Sequence, residues 1–271
     1  MARKLDQIVE GTRGKLGSGS GSNSASESPR FFLVMAVIMS LVTVAGFTIQ
    51  LAMGRSSFDA PWPYHVHGVI FMAWIGLYLA QHVTISRANH ALHAKLGKLA
   101  YGFVPVMIAA GTMIMIVVAQ RTGGPFFFHV SEFLWSNIAL VWCFGGLAWW
   151  SLRARRYSGW HRRLMLCAMA ILTGPGLGRI LPAPLMIPHA WTIITVTTMV
   201  WPIIGMIADW RCHGRIHPAY FWGLGIYIAV FLVSVVIAHT GPGMEATQWL
   251  IAGTPGAERP IEPFLPSDFV M

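Results

Sequence analysis

His67, His129 and His189 each stand where an apolar stretch of membrane-spanning length begins, and His239 stands where another ends. His93, His161 and His217 stand in or beside basic turns further along. Ionisable side chains at membrane depth are costly and mark function more often than packing. Imidazole is a ligand for heme iron, copper and zinc, so a row of imidazoles at one level is a candidate heme or transition-metal site. His65 precedes His67 by two residues, about 200° around a helix, so the two cannot both point inward once the helix has begun. His82 follows His67 by fifteen residues, which is about 22 Å of rise and about 60° of rotation. Both therefore lie on roughly one face, as in membrane cytochromes that carry two stacked hemes. The pattern then needs a second helix of matching spacing. The stretch beginning at His129 has Phe144 at the corresponding inner position; His161, at the start of the fifth stretch, is the residue that could substitute at that level, and a single heme is read in preference to two.

Two further residues belong with the outer row. Glu132 lies at i+3 from His129, on the same helical face, and a lone carboxylate there must be protonated, paired or bound to a cation. Arg179 lies near the outer end of the next stretch, which predicts an ion pair with Glu132 or the neutralisation of an anionic ligand group such as a propionate. The cofactor-binding set is then His67, His129, His189 and Arg179. The metal set is His65, His67, His129, Glu132 and His239.

Composition says what positions these residues. Hydrophobic residues make up 55% of the 271 and charged residues 11%, against roughly a quarter charged in soluble domains. An all-α, polytopic membrane protein is expected, and the net charge of +9 is a topology signal rather than a nucleic-acid one. Twelve Trp and six Tyr suit the bilayer interface. Cys143, Cys167 and Cys212 form no C-x-x-C pair and read as packing residues.

Seven spans are legible, at 31–53, 64–86, 96–120, 129–151, 164–181, 189–208 and 220–239. They read as one helix plus three similar hairpins. Arg87, Lys95 and Lys98, then Arg153, Arg155, Arg156, Arg162 and Arg163, then Arg211 and Arg215 fall in alternate loops. Such basic loops are cytoplasmic, which puts the N-terminus inside and the C-terminus outside. The same loops, with His90 and His213, are expected to meet anionic lipid headgroups. Asp209 is expected to offset Arg211 or to cap its helix. Residues 1–30 read as a flexible segment around the Gly/Ser run at 17–28, preceded by a one-turn apolar stripe of Leu5, Ile8 and Val9. Residues 240–271, with Glu258, Glu262 and Asp268, read as an extended outer tail. The run Thr173-Gly174-Pro175-Gly176-Leu177-Gly178-Arg179 is expected to break its helix, either to line a cavity or to let helices pack closely.

The series His65-Val66-His67-Gly68, Trp74, Gln81 and His93-x-x-Leu96-Gly97, with Trp160-His161-Arg162-Arg163-Leu164-Met165 and Gly174-Pro175-x-x-Gly178-Arg179-Ile180, resembles uncharacterised bacterial predicted membrane proteins. The resemblance spans about residues 30–235. It implies a seven-helix protein of the bacterial inner membrane and brings no activity with it. Three readings follow from the residues: a heme- or metal-binding protein in redox chemistry or cofactor handling, a non-catalytic subunit of a larger membrane assembly, or a carrier or receptor for a small lipophile.

Overall fold

The computed structural model describes residues 29–267. The N-terminal apolar stripe, the Gly/Ser run and Asp268 lie outside the described residues. Ten α-helices follow in order: α1 (Pro29–Ala52), α2 (Trp62–Ser86), α3 (His90–Thr122), α4 (Val130–Arg153), α5 (Ser158–Leu172), α6 (Gly174–Ile180), α7 (Ala190–Thr198), α8 (Val200–His213), α9 (Pro218–Ala238) and α10 (Gly241–Ile251). Short 3-10 turns occupy Ala183–Met186 and Pro255–Ala257. Among the described residues, six helices are long and apolar enough to cross a membrane, with α7 and α8 running on as one. The pair α5 and α6, bent by 43°, makes a seventh if it is one span.

Local chemistry sets the ends. The Asn89 side chain accepts from Leu92 N, so α3 starts at His90, a turn and a half before the apolar run at Leu96. Gly123, with φ +67°, ends it in the left-handed conformation, which glycine adopts without a Cβ penalty. Pro218 opens α9 at the first helical position, where its missing N–H costs nothing. The centre is α4 and α5. Leu164 and every residue from Leu166 to Leu172 on α5 are buried, and α4 packs against α3, α5 and α9. The first two expected hairpins, α2–α3 and α4–α5, are closely packed. The third is not, because α9 turns from α8 and lies chiefly on α4 and α5.

The expected break at 173–179 is present, in its close-packing form. The 173–179 run does not unwind. The chain bends at Thr173 and resumes as α6, with Pro175 at its second position, where no intrahelical donor is required. Thr173 Oγ1 donates to Ala170 O at 2.6 Å and accepts from Trp201 Nε1 at 2.9 Å. The glycines serve a crossing. A Cβ on Gly46 of α1 would stand 2.3 Å from Gly176 O, and one on Gly176 would stand 2.6 Å from Thr43 Cα.

The C-terminal region is not wholly extended either. Thr240 accepts from Gly243 N through its hydroxyl and starts α10, and Pro242 suits its first turn. Beyond it the chain binds back on the α3–α4 loop: Val130 N donates to Ile261 O at 2.9 Å, and Phe264 N donates to Phe126 O at 3.0 Å. Arg259 closes the attachment. Its guanidinium donates to Gly123 O, Gly124 O, Pro125 O and Phe128 O. Arg259→Ala should therefore free residues 252–267, at a cost on the order of 2–3 kcal/mol. Limited proteolysis of this segment in detergent checks it, and unchanged cleavage would refute the clamp.

Candidate functional site

The end of the bundle that holds the N-terminus of α4 and the C-terminus of α9 gathers four of the acid–base groups. His129 is the N-cap of α4 and is 4% exposed. Its Nδ1 accepts from Glu132 N at 3.4 Å, which leaves the ring proton on Nε2. That nitrogen faces Glu262 Oε1 of the tail at 3.5 Å. The His239 ring, capping α9, tilts against the His129 ring with centroids 4.5 Å apart. His239 Nε2 in turn lies 3.7 Å from Glu132 Oε2. The result is two imidazole–carboxylate pairs in contact, one carboxylate exposed (Glu262) and the other buried (Glu132). His129 lies outside the spans, and burial holds its pKa below the usual histidine value. Glu262 works against that shift, and His239 and Arg259 work with it.

The other expected members stand apart. His189 is exposed and close enough to Glu132 for an electrostatic effect only. His65 is exposed in the first turn of α2, with Nε2 2.8 Å from Ala60 O in the preceding loop. The His67 ring lies tilted against Phe71 with centroids 4.1 Å apart, and its buried Nδ1 has no hydrogen-bond partner. The expected Glu132–Arg179 ion pair does not form. Arg179 donates to Pro175 O at 2.8 Å and lies 4.0 Å over the Phe47 ring, because the bend at Thr173 carries α6 towards α1. Both ring nitrogens of His129 are engaged within the protein. Among the described residues, no group of three or more His, Cys, Asp or Glu side chains is placed to hold a metal ion.

No family model, curated protein or solved structure matches the chain.

Buried polar groups continue from the His129 cluster into the bundle. Ser131 Oγ donates to Ala238 O at 2.7 Å, and Thr247 Oγ1 donates to Ser131 Oγ at 2.9 Å. One turn deeper, Ser234 Oγ meets Ser136 Oγ at 3.2 Å. Two turns further along α9, Tyr227 Oη meets Thr198 Oγ1 at 2.6 Å, and Tyr220 follows after two more turns. Ser234, Tyr227 and Tyr220, spaced by seven, thus form one buried polar stripe along α9, and His239 stands off that face at the helix end.

The opposite end has its own network. The Arg163 guanidinium meets the Asp209 carboxylate through two bonds of 2.8 and 2.7 Å, both residues being buried. Asp209 also accepts from His217 N at 3.0 Å. The expectation that Asp209 offsets Arg211 is therefore corrected. Its partner is on α5, because the buried face of α8 carries Asp209 while Arg211 is exposed. Burial and the Arg163 cation pull the His217 pKa down to about 4, so the ring is neutral and its Nδ1 caps α9 by accepting from Ala219 N. Beside this network lie His82, His93 and His161, on three different helices. Exposed Arg87, Lys95, Lys98, Arg155, Arg156, Arg211 and Arg215 surround this end.

Sequence reasoning missed Glu262 and the Arg163–Asp209 pair. Asp209 carried a signal, being an acid inside an apolar stretch. Glu262 carried none, because only the folding-back of the tail brings it to His129.

Proposed function

We propose that the chain is a seven-span protein of a bacterial inner membrane, N-terminus inside and C-terminus outside, that passes protons into its bundle at the outer end. One observation carries this reading: the tilted His129–His239 ring pair, with Glu262 exposed on one ring and Glu132 buried on the other. Glu262 takes a proton from water beside the His129 Nε2–H, His129 takes a further proton at Nδ1 by releasing Glu132 N, and the Glu132 carboxylate, facing His239, lies at the head of a buried hydroxyl stripe. At 3.5 and 3.7 Å the carboxylate–imidazole pairs stand just outside direct hydrogen-bond reach, so transfer needs each pair to close or to share one water. The basic loops at the opposite end support the orientation. The redox or cofactor-handling role expected from the outer histidines is chemistry that such proton transfer would serve.

The pH dependence follows from His129. Its pKa in the folded protein lies below the ordinary 6.5, so the ring is neutral at pH 7 and takes its proton only on the acid side of 6.5. Proton uptake should therefore rise as the outer pH falls through that region. Purified protein in liposomes loaded with a pH-sensitive dye, under a potassium diffusion potential, should acidify faster than protein-free liposomes. Glu132→Gln should lower the rate by about 100-fold, as loss of a general acid–base group does. Wild-type vesicles no faster than empty ones, or Glu132→Gln at the wild-type rate, would sink the reading.

A second reading rests on a different feature. An apolar groove of about 960 Å³ opens sideways between α3 and α4, walled by Pro105, Thr112, Trp142, Gly145, Gly146 and Trp149. It favours a lipophile carrier, or a subunit that receives a partner's transmembrane helix. Bound lipid identified by mass spectrometry, or a fixed partner kept in mild detergent, would favour it.

A further inference from the structure

We infer that the inner end of the bundle holds a heme between His93 of α3 and His161 of α5. The two rings have centroids 6.3 Å apart and stand at 80° to each other. Two imidazoles bound to one metal from opposite sides keep their centroids roughly 6 Å apart, given metal–nitrogen distances of about 2 Å. Any angle between the two ring planes is compatible with that arrangement. A bare ion needs more donors than are placed together here. Heme needs only two, because the macrocycle fills the equatorial positions and the protein supplies the axial ligands.

The orientation of the rings supports ligation. Histidines that bind metal hold their other ring nitrogen against a carbonyl or carboxylate, which fixes the tautomer. His161 Nδ1 lies 2.9 Å from Ser151 O, and Ser151 Oγ donates to His161 O at 2.7 Å. Ser151 is completely buried. The anchor thus leaves the Nε2 lone pair of His161 free to bind iron. His93 Nδ1 lies 3.3 Å from Gln81 O. In the orientation that serves both its ends, the Gln81 amide donates to His93 Nδ1 at 2.6 Å and accepts from Gly97 N at 2.7 Å. In that orientation Nδ1 accepts and Nε2 carries the ring proton, so ligation through Nε2 requires the proton on Nδ1 and the Gln81 amide turned so that its oxygen, at the same 2.6 Å, accepts it.

His82 is held in the same way, with Nδ1 2.9 Å from Tyr78 O, and lies within electrostatic reach of both ligands. It is a neighbour of the site rather than a ligand. Arg155, whose guanidinium donates to Tyr101 Oη, acts electrostatically on His161 and would supply positive charge to an anionic group bound there. Gln81, His93 and Gly97 form one contact set here.

The test is absorbance of the purified protein, with hemin titrated into it. Wild type should give a sharp, low-spin Soret band. His93→Ala and His161→Ala should each weaken hemin binding by roughly tenfold or more and convert the remainder to a five-coordinate, high-spin spectrum. His129→Ala should leave the spectrum unchanged, which separates this site from the proton reading at the outer end. Helical content by circular dichroism and elution volume confirm that each variant is folded. Added imidazole should restore the low-spin band in His161→Ala. A band that survives both inner variants is adventitious hemin only and overturns the proposal, as does the absence of any band after titration.

Discussion

Asp209→Ala is expected to destabilise the bundle by about 3–5 kcal/mol, because it strands a buried cation. Arg163 is 1% exposed, and Asp209 is 5% exposed. The pair has bidentate geometry at 2.7 and 2.8 Å, the arrangement in which a guanidinium and a carboxylate bind most strongly. Removing the carboxylate takes two charge-assisted bonds from Arg163, which keeps its bond to Gly159 O at 3.0 Å and its place over the Tyr220 ring among its contacts, and takes from His217 N its acceptor. Three helices then lose their common tie, since Arg163 is on α5, Asp209 on α8 and His217 at the start of α9. The double variant Arg163→Leu/Asp209→Leu should recover much of the loss, because a buried pair replaced whole by apolar residues is often nearly neutral. Thermal unfolding in detergent, followed by circular dichroism, reads both variants. A single variant as stable as wild type would mean the pair is not buried in the membrane-embedded protein.

Depth and helicity were legible in the chain because they follow from composition and run length. Glu132 and His129 were recognisable as a local pair because i and i+3 share a helical face, and their hydrogen bond is local. The partners across helices were not legible in the same way. Glu132 was expected to meet Arg179 from the simple rule that consecutive antiparallel helices share a level. The 43° bend at Thr173 breaks that rule, and His239, from a helix much later in the chain, takes the place. Glu262 reaches His129 only because Arg259 and two main-chain bonds fold the tail back. Neither event has a period or a spacing to reveal it. The inner contact between His93 and His161 joins two motifs that were visible separately, and only the packing of α3 and α5 on α4 brings them together.

The bend itself makes the second large prediction, because it exists to let α6 lie against α1 without side chains between them. Lipid tails are as apolar as leucine, so helices in a bilayer associate through close packing, and small residues permit the backbones to approach. Gly46 and Gly176 are those residues here. The methyl of Gly46→Ala would lie 2.3 Å from the main-chain oxygen of Gly176, and main chain cannot swing aside as a long side chain can. Overpacking of this kind costs typically 1–3 kcal/mol, and Gly46→Val should lie at or above the top of that range. The change also has a geometric consequence. Parting α1 from α6 moves Phe47 from under Arg179 and pulls Gln50 Nε2 from Arg179 O. Gly102→Ala is the control, since a Cβ there meets nothing within 4 Å and alanine should be more stable in the helix by about 1 kcal/mol. Melting temperatures in detergent should therefore move in opposite directions for the two alanine variants. If Gly46→Ala melts no lower than wild type, α1 does not cross α6 at this point.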